Sequence, residues 1–152
     1  MRLRRYGVGY LIKLAGAASD PHMEPDSITP ARHLEVLREL MRREPIFHRP
    51  EFGTTRADFE NMTDPAFREV GASGRCYSRE YVLDILEQRH ARPIEDEVLE
   101  ASDFQCLEIA ADNYLLTYTL RQGERLTRRA TIWRCQGLAW KIVYHQGTVV
   151  QA

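Results

Sequence analysis

Cysteine is scarce in this sequence: three residues in 152, Cys76, Cys106 and Cys135, far apart and with no C-x-x-C. An odd, dispersed set gives neither a disulfide framework nor a thiolate zinc site. It fits a reducing compartment, with the three thiols as small core or half-buried side chains. No apolar run approaches the ~20 residues that a membrane span needs. Basic excess is also missing. Lys and Arg number 21 against 22 Asp and Glu, for a net charge of −1, so no nucleic-acid partner is indicated. The cluster Arg125, Arg128, Arg129 reads as solvated charge. No H-x-H, H-E-x-x-H or paired acidic cluster marks a metal site, no glycine loop cradles phosphate, and no Ser-His-Asp grouping has local support. No cofactor and no metal are expected, and His33, His48 and His90 are expected to be exposed or loop-borne.

What is present is the composition of one packed domain, with 43% hydrophobic and 28% charged residues. Residues 1–5 are basic, residues 6–18 are small and apolar, and Ala15-Gly16-Ala17-Ala18 resembles a signal-peptidase site. Lys13 interrupts that run, and Gly7 and Gly9 weaken a helix there. The reading adopted is a leader and linker over residues 1–28, a domain over residues 29–149, and a cytoplasmic location. An export signal at residues 1–18 is the alternative.

Thr29 and Pro30 have the chemistry of an N-cap and a first helical residue, and Leu34, Leu37, Leu40 and Met41 form an apolar stripe that stops before Pro45. Thr55 is expected to cap a short helix with Phe59 and Met62 on one face, ended by Asp64-Pro65. Residues 67–70 suit a first strand, residues 71–74 a turn, and Ser78 the cap of a helix carrying Val82, Ile85 and Leu86. From Val98 the period changes to two. Residues 104–110, 114–121, 128–135 and 139–146 read as consecutive strands, the last two closed around Gly137. Helices first and a strand meander after predict an α+β fold, a curved antiparallel sheet wrapped on N-terminal helices.

A two-residue turn near Gly137 places Arg129, Thr131, Trp133, Trp140, Ile142, Tyr144 and Gln146 on one face of the last hairpin. Ala130, Ile132, Arg134, Lys141, Val143 and His145 then take the other. The first set has more aromatic area and is expected to face the interior; a bulge would reverse one strand against its partner.

Two segments carry a family resemblance. One is Phe67-Arg68-Glu69-Val70-Gly71-Ala72-Ser73-Gly74 followed by the helix start at Ser78. The other is the hairpin Thr131-Ile132-Trp133-Arg134 with residues 140–148. Together they resemble the nuclear transport factor 2-like superfamily, specifically the small bacterial proteins grouped as domain of unknown function 4440, over residues 29–149. The resemblance implies a cone-shaped fold, a pocket between helices and sheet, and a homodimer through the sheet. It implies no single activity, since relatives include isomerases, cyclases, dehydratases and non-catalytic assembly domains. The ketosteroid isomerase set of a tyrosine with two pocket carboxylates is not found at matching positions.

Glu69 shares a strand face with Phe67, so it should point inward, where burial would raise its pKa and suit it to acid–base work. The structural alternative is an ion pair with Arg129 or Arg134. His145 becomes a second candidate for proton transfer if a bulge turns it inward; otherwise it bonds backbone or lies in an interface. Arg129, Tyr118, Trp133, Trp140, Tyr144 and Gln146 are candidate ligand contacts, the alternative for the aromatics being plain core. Three functions follow, in this order: a pocket for a small apolar or amphipathic molecule, a homodimerisation module using Arg134, Lys141 and Val143, and a proton-transfer enzyme centred on Glu69.

Overall fold

The computed structural model describes residues 29–92 and 98–151, so the expected leader and linker lie outside the described residues. Among these residues three α-helices and six strands follow in the order α1 (Leu34–Arg43), α2 (Arg56–Met62), β1 (Thr63–Val70), β2 (Cys76–Ser78), α3 (Arg79–His90), β3 (Leu99–Ala110), β4 (Asn113–Gln122), β5 (Arg125–Gln136) and β6 (Ala139–Val149). The fold is the expected α+β cone, a curved sheet packed on N-terminal helices. Among the described residues no helix is long and apolar enough to cross a membrane.

The caps of α2 and α3 form as their sequences require. Thr55 accepts from the Asp58 N–H while the Asp58 carboxylate accepts from the Thr55 N–H, a reciprocal capping box. The Ser78 hydroxyl accepts from the Tyr81 N–H. Thr29 does not cap a helix. Its N–H and hydroxyl both donate to Gln105 Oε1, at 3.0 and 3.1 Å, and its hydroxyl oxygen accepts from the Cys106 N–H at 2.9 Å. β3 is a sheet edge, where backbone groups facing away from β4 need another partner, and Thr29 supplies one.

The buried stripe around α1 also differs from expectation. Leu34 is 39% exposed, whereas His33, Leu40 and Glu44 are buried. The inward positions are His33, Leu37, Leu40 and Glu44, at spacings of four, three and four, so the stripe continues past the last helical residue onto a carboxylate. His33 is therefore not exposed. Its Nε2 lies 3.3 Å from Glu108 Oε2 and its ring meets Tyr114 edge-on.

The strand order is β2-β1-β6-β5-β4-β3. Four of the five pairings are antiparallel, but β1 runs parallel to β6. The cause is topological. The segment after β2 takes the chain to the far edge, and the β3–β6 meander returns to place its last strand beside β1. β1 also begins at Thr63 rather than Phe67. Pro65 has no N–H to give a ladder, and the β1–β6 register shifts between Thr63 and Arg68, where it sits. Between helices and sheet lies the core, with Leu40, Phe59, Phe67, Leu83, Leu120, Trp133 and Ile142 almost fully buried. Each such side chain contributes roughly 1.5–3 kcal/mol of burial.

The last hairpin starts as expected and then departs. Gln136 pairs with Ala139, Cys135 with Trp140 and Trp133 with Ile142. The register then shifts, so that Ile132 pairs with Tyr144 and Thr131 with His145. Val143 is the extra residue, a β-bulge. Beyond it the faces of β6 exchange. His145 joins Thr131 and Arg129 on the inner side, while Tyr144 and Gln146 join Ile132 and Ala130 on the outer side.

Candidate functional site

A cavity of about 590 Å³ opens between α3, the segment after α1, and the inner face of β1, β4, β5 and β6. Phe47, Val82, Leu86 and Ile142 give it apolar wall, and its polar groups are Glu44, Glu69, His48, His145, Tyr118 and a set of arginines.

Four expected site residues reach this cavity: Glu69, His145, Tyr118 and Arg129. Glu69 arrives because β1 alternates as read, with Phe67 buried and Glu69 two residues on, paired across the sheet with His145. His145 arrives because of the Val143 bulge. Four others do not reach it. Tyr144 and Gln146 are turned to the outer face by that bulge, where the Tyr144 hydroxyl donates to Gln146 Oε1 at 2.6 Å. Trp140 sits near the hairpin end, half-buried against Tyr114. Trp133 is buried behind the cavity wall, with its indole N–H committed to Glu44.

Glu44 was passed over in the sequence because it lies in a Pro-flanked loop. It is the most enclosed carboxylate in the described structure, 2% exposed. Its Oε1 accepts from Trp133 Nε1 at 3.1 Å, and its Oε2 accepts from the Tyr118 hydroxyl and the Ile46 N–H, each at 3.1 Å. The Thr131 hydroxyl is a further donor. Burial outweighs these donors and pushes the Glu44 carboxyl above the ordinary carboxylate range. Tyr118, beside it and equally enclosed, is pushed up by burial and by the neighbouring Glu44 charge. One signal could have found Glu44: it stands four residues after Leu40, on the same helical stripe.

His145 connects with Glu44 through Thr131. Arg129 Nη1 lies 3.2 Å from His145 Nε2, and a guanidinium can only donate, so Nε2 is the accepting nitrogen. The proton therefore sits on Nδ1, which donates to Thr131 Oγ1 at 2.8 Å. That leaves the Thr131 hydroxyl proton for Glu44. Burial first, and then Arg129 and His48, lower the His145 pKa to about 3, so the ring is neutral at neutral pH. A continuous hydrogen-bonded path thus leads from the cavity at Arg129 to the buried carboxylate.

Glu69 differs from Glu44 in having no hydrogen-bond partner among the described residues. Burial raises its pKa, Arg129 and Arg89 act against that, and Glu44 adds to it. Neither expected ion pair forms, because Arg134 binds Asp64 at 2.6 Å and Arg129 is held by neutral acceptors. His48, expected in a loop and exposed, lines the cavity, and burial with Arg89 and Arg129 lowers its pKa to about 4. His90 is half-buried and packs its ring against Phe59. Among the described residues no three His, Cys, Asp or Glu side chains converge as metal ligands.

No protein-family model matches the sequence, and no curated protein does. Solved structures do match. A nuclear transport factor 2-like protein of unknown function in nutrient uptake from Rhodospirillum rubrum aligns with a TM-score of 0.56 and 18% identity, over 78% of this chain and 98% of that one. An uncharacterised protein with a cystatin-like fold from Caulobacter vibrioides gives 0.59 and 15%, over 80% and 92%. A protein of Parabacteroides distasonis provisionally described as a ketosteroid isomerase gives 0.58 and 13%, over 84% and 98%. At these identities the likeness is one of fold, and the fold is that of nuclear transport factor 2-like proteins.

Proposed function

We propose that this domain binds a small amphipathic molecule in its interior cavity, and that within the nuclear transport factor 2-like fold it belongs to the domain of unknown function 4440 group. The observation that carries the binding reading is the convergence of Glu69, Arg129, His48 and an apolar wall on one cavity of about 590 Å³. Such a volume, with apolar side chains and converging polar groups sharing its surface, has the dimensions of a small-molecule site. Glu69 stands out because its carboxylate is half-buried without a hydrogen-bond partner from the described residues. A ligand donor would satisfy it. The terminal hairpin motif is the support for the narrower grouping.

A thermal-shift screen of the protein against a broad metabolite library, with Glu69→Gln in parallel, tests the binding reading. A compound that stabilises the wild type and not the variant supports it. Failure of every compound in the library to stabilise either protein counts against it.

A second reading is favoured by one observation. A tyrosine and two carboxylates, Tyr118, Glu44 and Glu69, do meet at this cavity, although the sequence showed no such set. In that reading the cavity catalyses a proton transfer, with Glu69 taking the substrate proton as the half-buried base, while Glu44 anchors the Thr131–His145 chain that holds Arg129 at the cavity. Tyr118 is committed to Glu44, so its part is to orient that carboxyl. Solvent deuterium exchange into any ligand found by the screen, lost in Glu69→Gln, distinguishes chemistry from binding alone.

A further inference from the structure

We infer that the ligand of this cavity is an organic carboxylate, its anionic head held at the rim by Arg89 and Arg125 and its apolar body lying inside; the inference rests on the binding reading above.

Three guanidinium groups line the cavity: Arg89 from α3, and Arg125 and Arg129 from β5. The segment Arg125–Arg129 reads in the sequence as solvated surface charge, and the structure divides it. Arg128 points away and bonds Thr119, while Arg125 and Arg129, four residues apart and so on one face of β5, turn to the cavity. None of the three cavity arginines has a carboxylate within ion-pair distance among the described residues. Elsewhere on the molecule such partners are common: Arg56 alone takes Glu60, Glu80 and Asp84. Arg129 is oriented instead by neutral acceptors, Thr127 Oγ1 at 2.9 Å, His145 Nε2 at 3.2 Å and Gln122 Oε1 at 3.3 Å. Among the described residues, no side-chain hydrogen bond or ion pair holds the guanidinium of Arg89 or of Arg125.

The charges are layered. Arg89 and Arg125 are exposed, Arg129 and Glu69 are half-buried, and Glu44 is enclosed. A ligand entering head-first would bring its anion toward two carboxylates. A ligand entering body-first sets its apolar part against Phe47, Leu86 and Ile142 and leaves its anion among the guanidinium groups. Planar, bidentate recognition by arginine suits a carboxylate. A single negative charge also answers the small cationic surplus of this wall, three guanidinium groups against Glu69 and Glu44, better than a dianion does.

The experiment is a calorimetric titration with matched pairs, octanoate against octanamide and cinnamate against cinnamamide, on the wild type and on Arg89→Gln, Arg125→Gln and Arg121→Gln. Arg121 is an exposed arginine of β4 that does not line the cavity, so its variant controls for net charge. The expected result is that the acids bind and the amides bind at least about tenfold more weakly. Arg89→Gln and Arg125→Gln should each weaken the acids by about tenfold and leave the amides unchanged, while Arg121→Gln changes neither. Equal binding of acid and amide overturns the carboxylate inference and leaves the binding reading standing. Acid binding that ignores both rim substitutions overturns the arginine assignment. Absence of binding by acids and amides alike overturns the inference together with the reading beneath it.

Discussion

The indole N–H of Trp133 donates to the Glu44 carboxylate at 3.1 Å, joining residues 89 positions apart in sequence. That bond ties the end of the first helix to the middle of the sheet, and Glu44 cannot be replaced without stranding its donors. Glu44→Leu leaves the Trp133 and Ile46 N–H groups buried and unpaired, so a loss of roughly 3 kcal/mol or more in urea denaturation is expected. Glu44→Gln keeps one acceptor and should lose about 1–2 kcal/mol. Equal stability of wild type and Glu44→Leu would refute the arrangement.

Acid should unfold the domain through its neutral histidines. His145 titrates near 6.5 in the unfolded chain and at about 3 when folded. Between those values the unfolded chain binds a proton that the folded one does not. Its contribution is therefore intact above about 6.5 and is lost as pH falls toward 3. His48, lowered to about 4, acts in the same sense. Each can contribute a slope approaching about 1.4 kcal/mol per pH unit. Gln can accept from Arg129 and donate to Thr131, so His145→Gln should fold and show a flatter dependence of stability on pH over this window. An undiminished slope would place the acid sensitivity elsewhere.

Glu69→Gln should fold, and its melting temperature should match or exceed that of the wild type at neutral pH. The sign follows from the raised pKa. The folded carboxyl holds its proton to higher pH than the unfolded one, so its contribution is present at low pH and is lost as pH rises above about 4.5. A glutamine never ionises, and the advantage of the variant should grow over that rise. A clear drop in melting temperature would make Glu69 a structural residue and remove the base from the proton-transfer reading.

Gly53 has φ +138°, and a Cβ there would lie 2.3 Å from Asp58 Cβ. Gly53→Ala therefore combines backbone strain with displacement of the α2 capping box. The expected loss is roughly 2 kcal/mol, measured by chemical denaturation with Gly123→Ala as a comparison. Gly123 has φ +59° but open space around its missing Cβ. If the two variants are equally stable, the Asp58 contact carries no weight.

The fold was legible because its signals are local. Caps at Thr55 and Ser78, and the change from helical to alternating period near Val98, depend on neighbours only. The site was legible in part. Glu69 could be placed because Phe67 and plain alternation fix its face. His145, Tyr144 and Gln146 could not, because one bulged residue decides all three and its position depends on a pairing that no single strand encodes. Glu44 was missed because it follows the last helical residue, where a stripe is usually no longer counted. The histidines were misread for a related reason: whether His33 or His48 is covered depends on Glu108 and α3, which are distant in sequence.

The bulge at Val143 also bears on how this fold can change its purpose. β6 carries two alternative linings for one wall: an imidazole when Val143 is looped out, and a phenol with a carboxamide when the strand runs regularly. Gain or loss of that irregularity could recast the chemistry a ligand meets while every residue type is kept. Column-by-column comparison of sequences would register no difference between two such proteins, although their interiors would recognise different molecules.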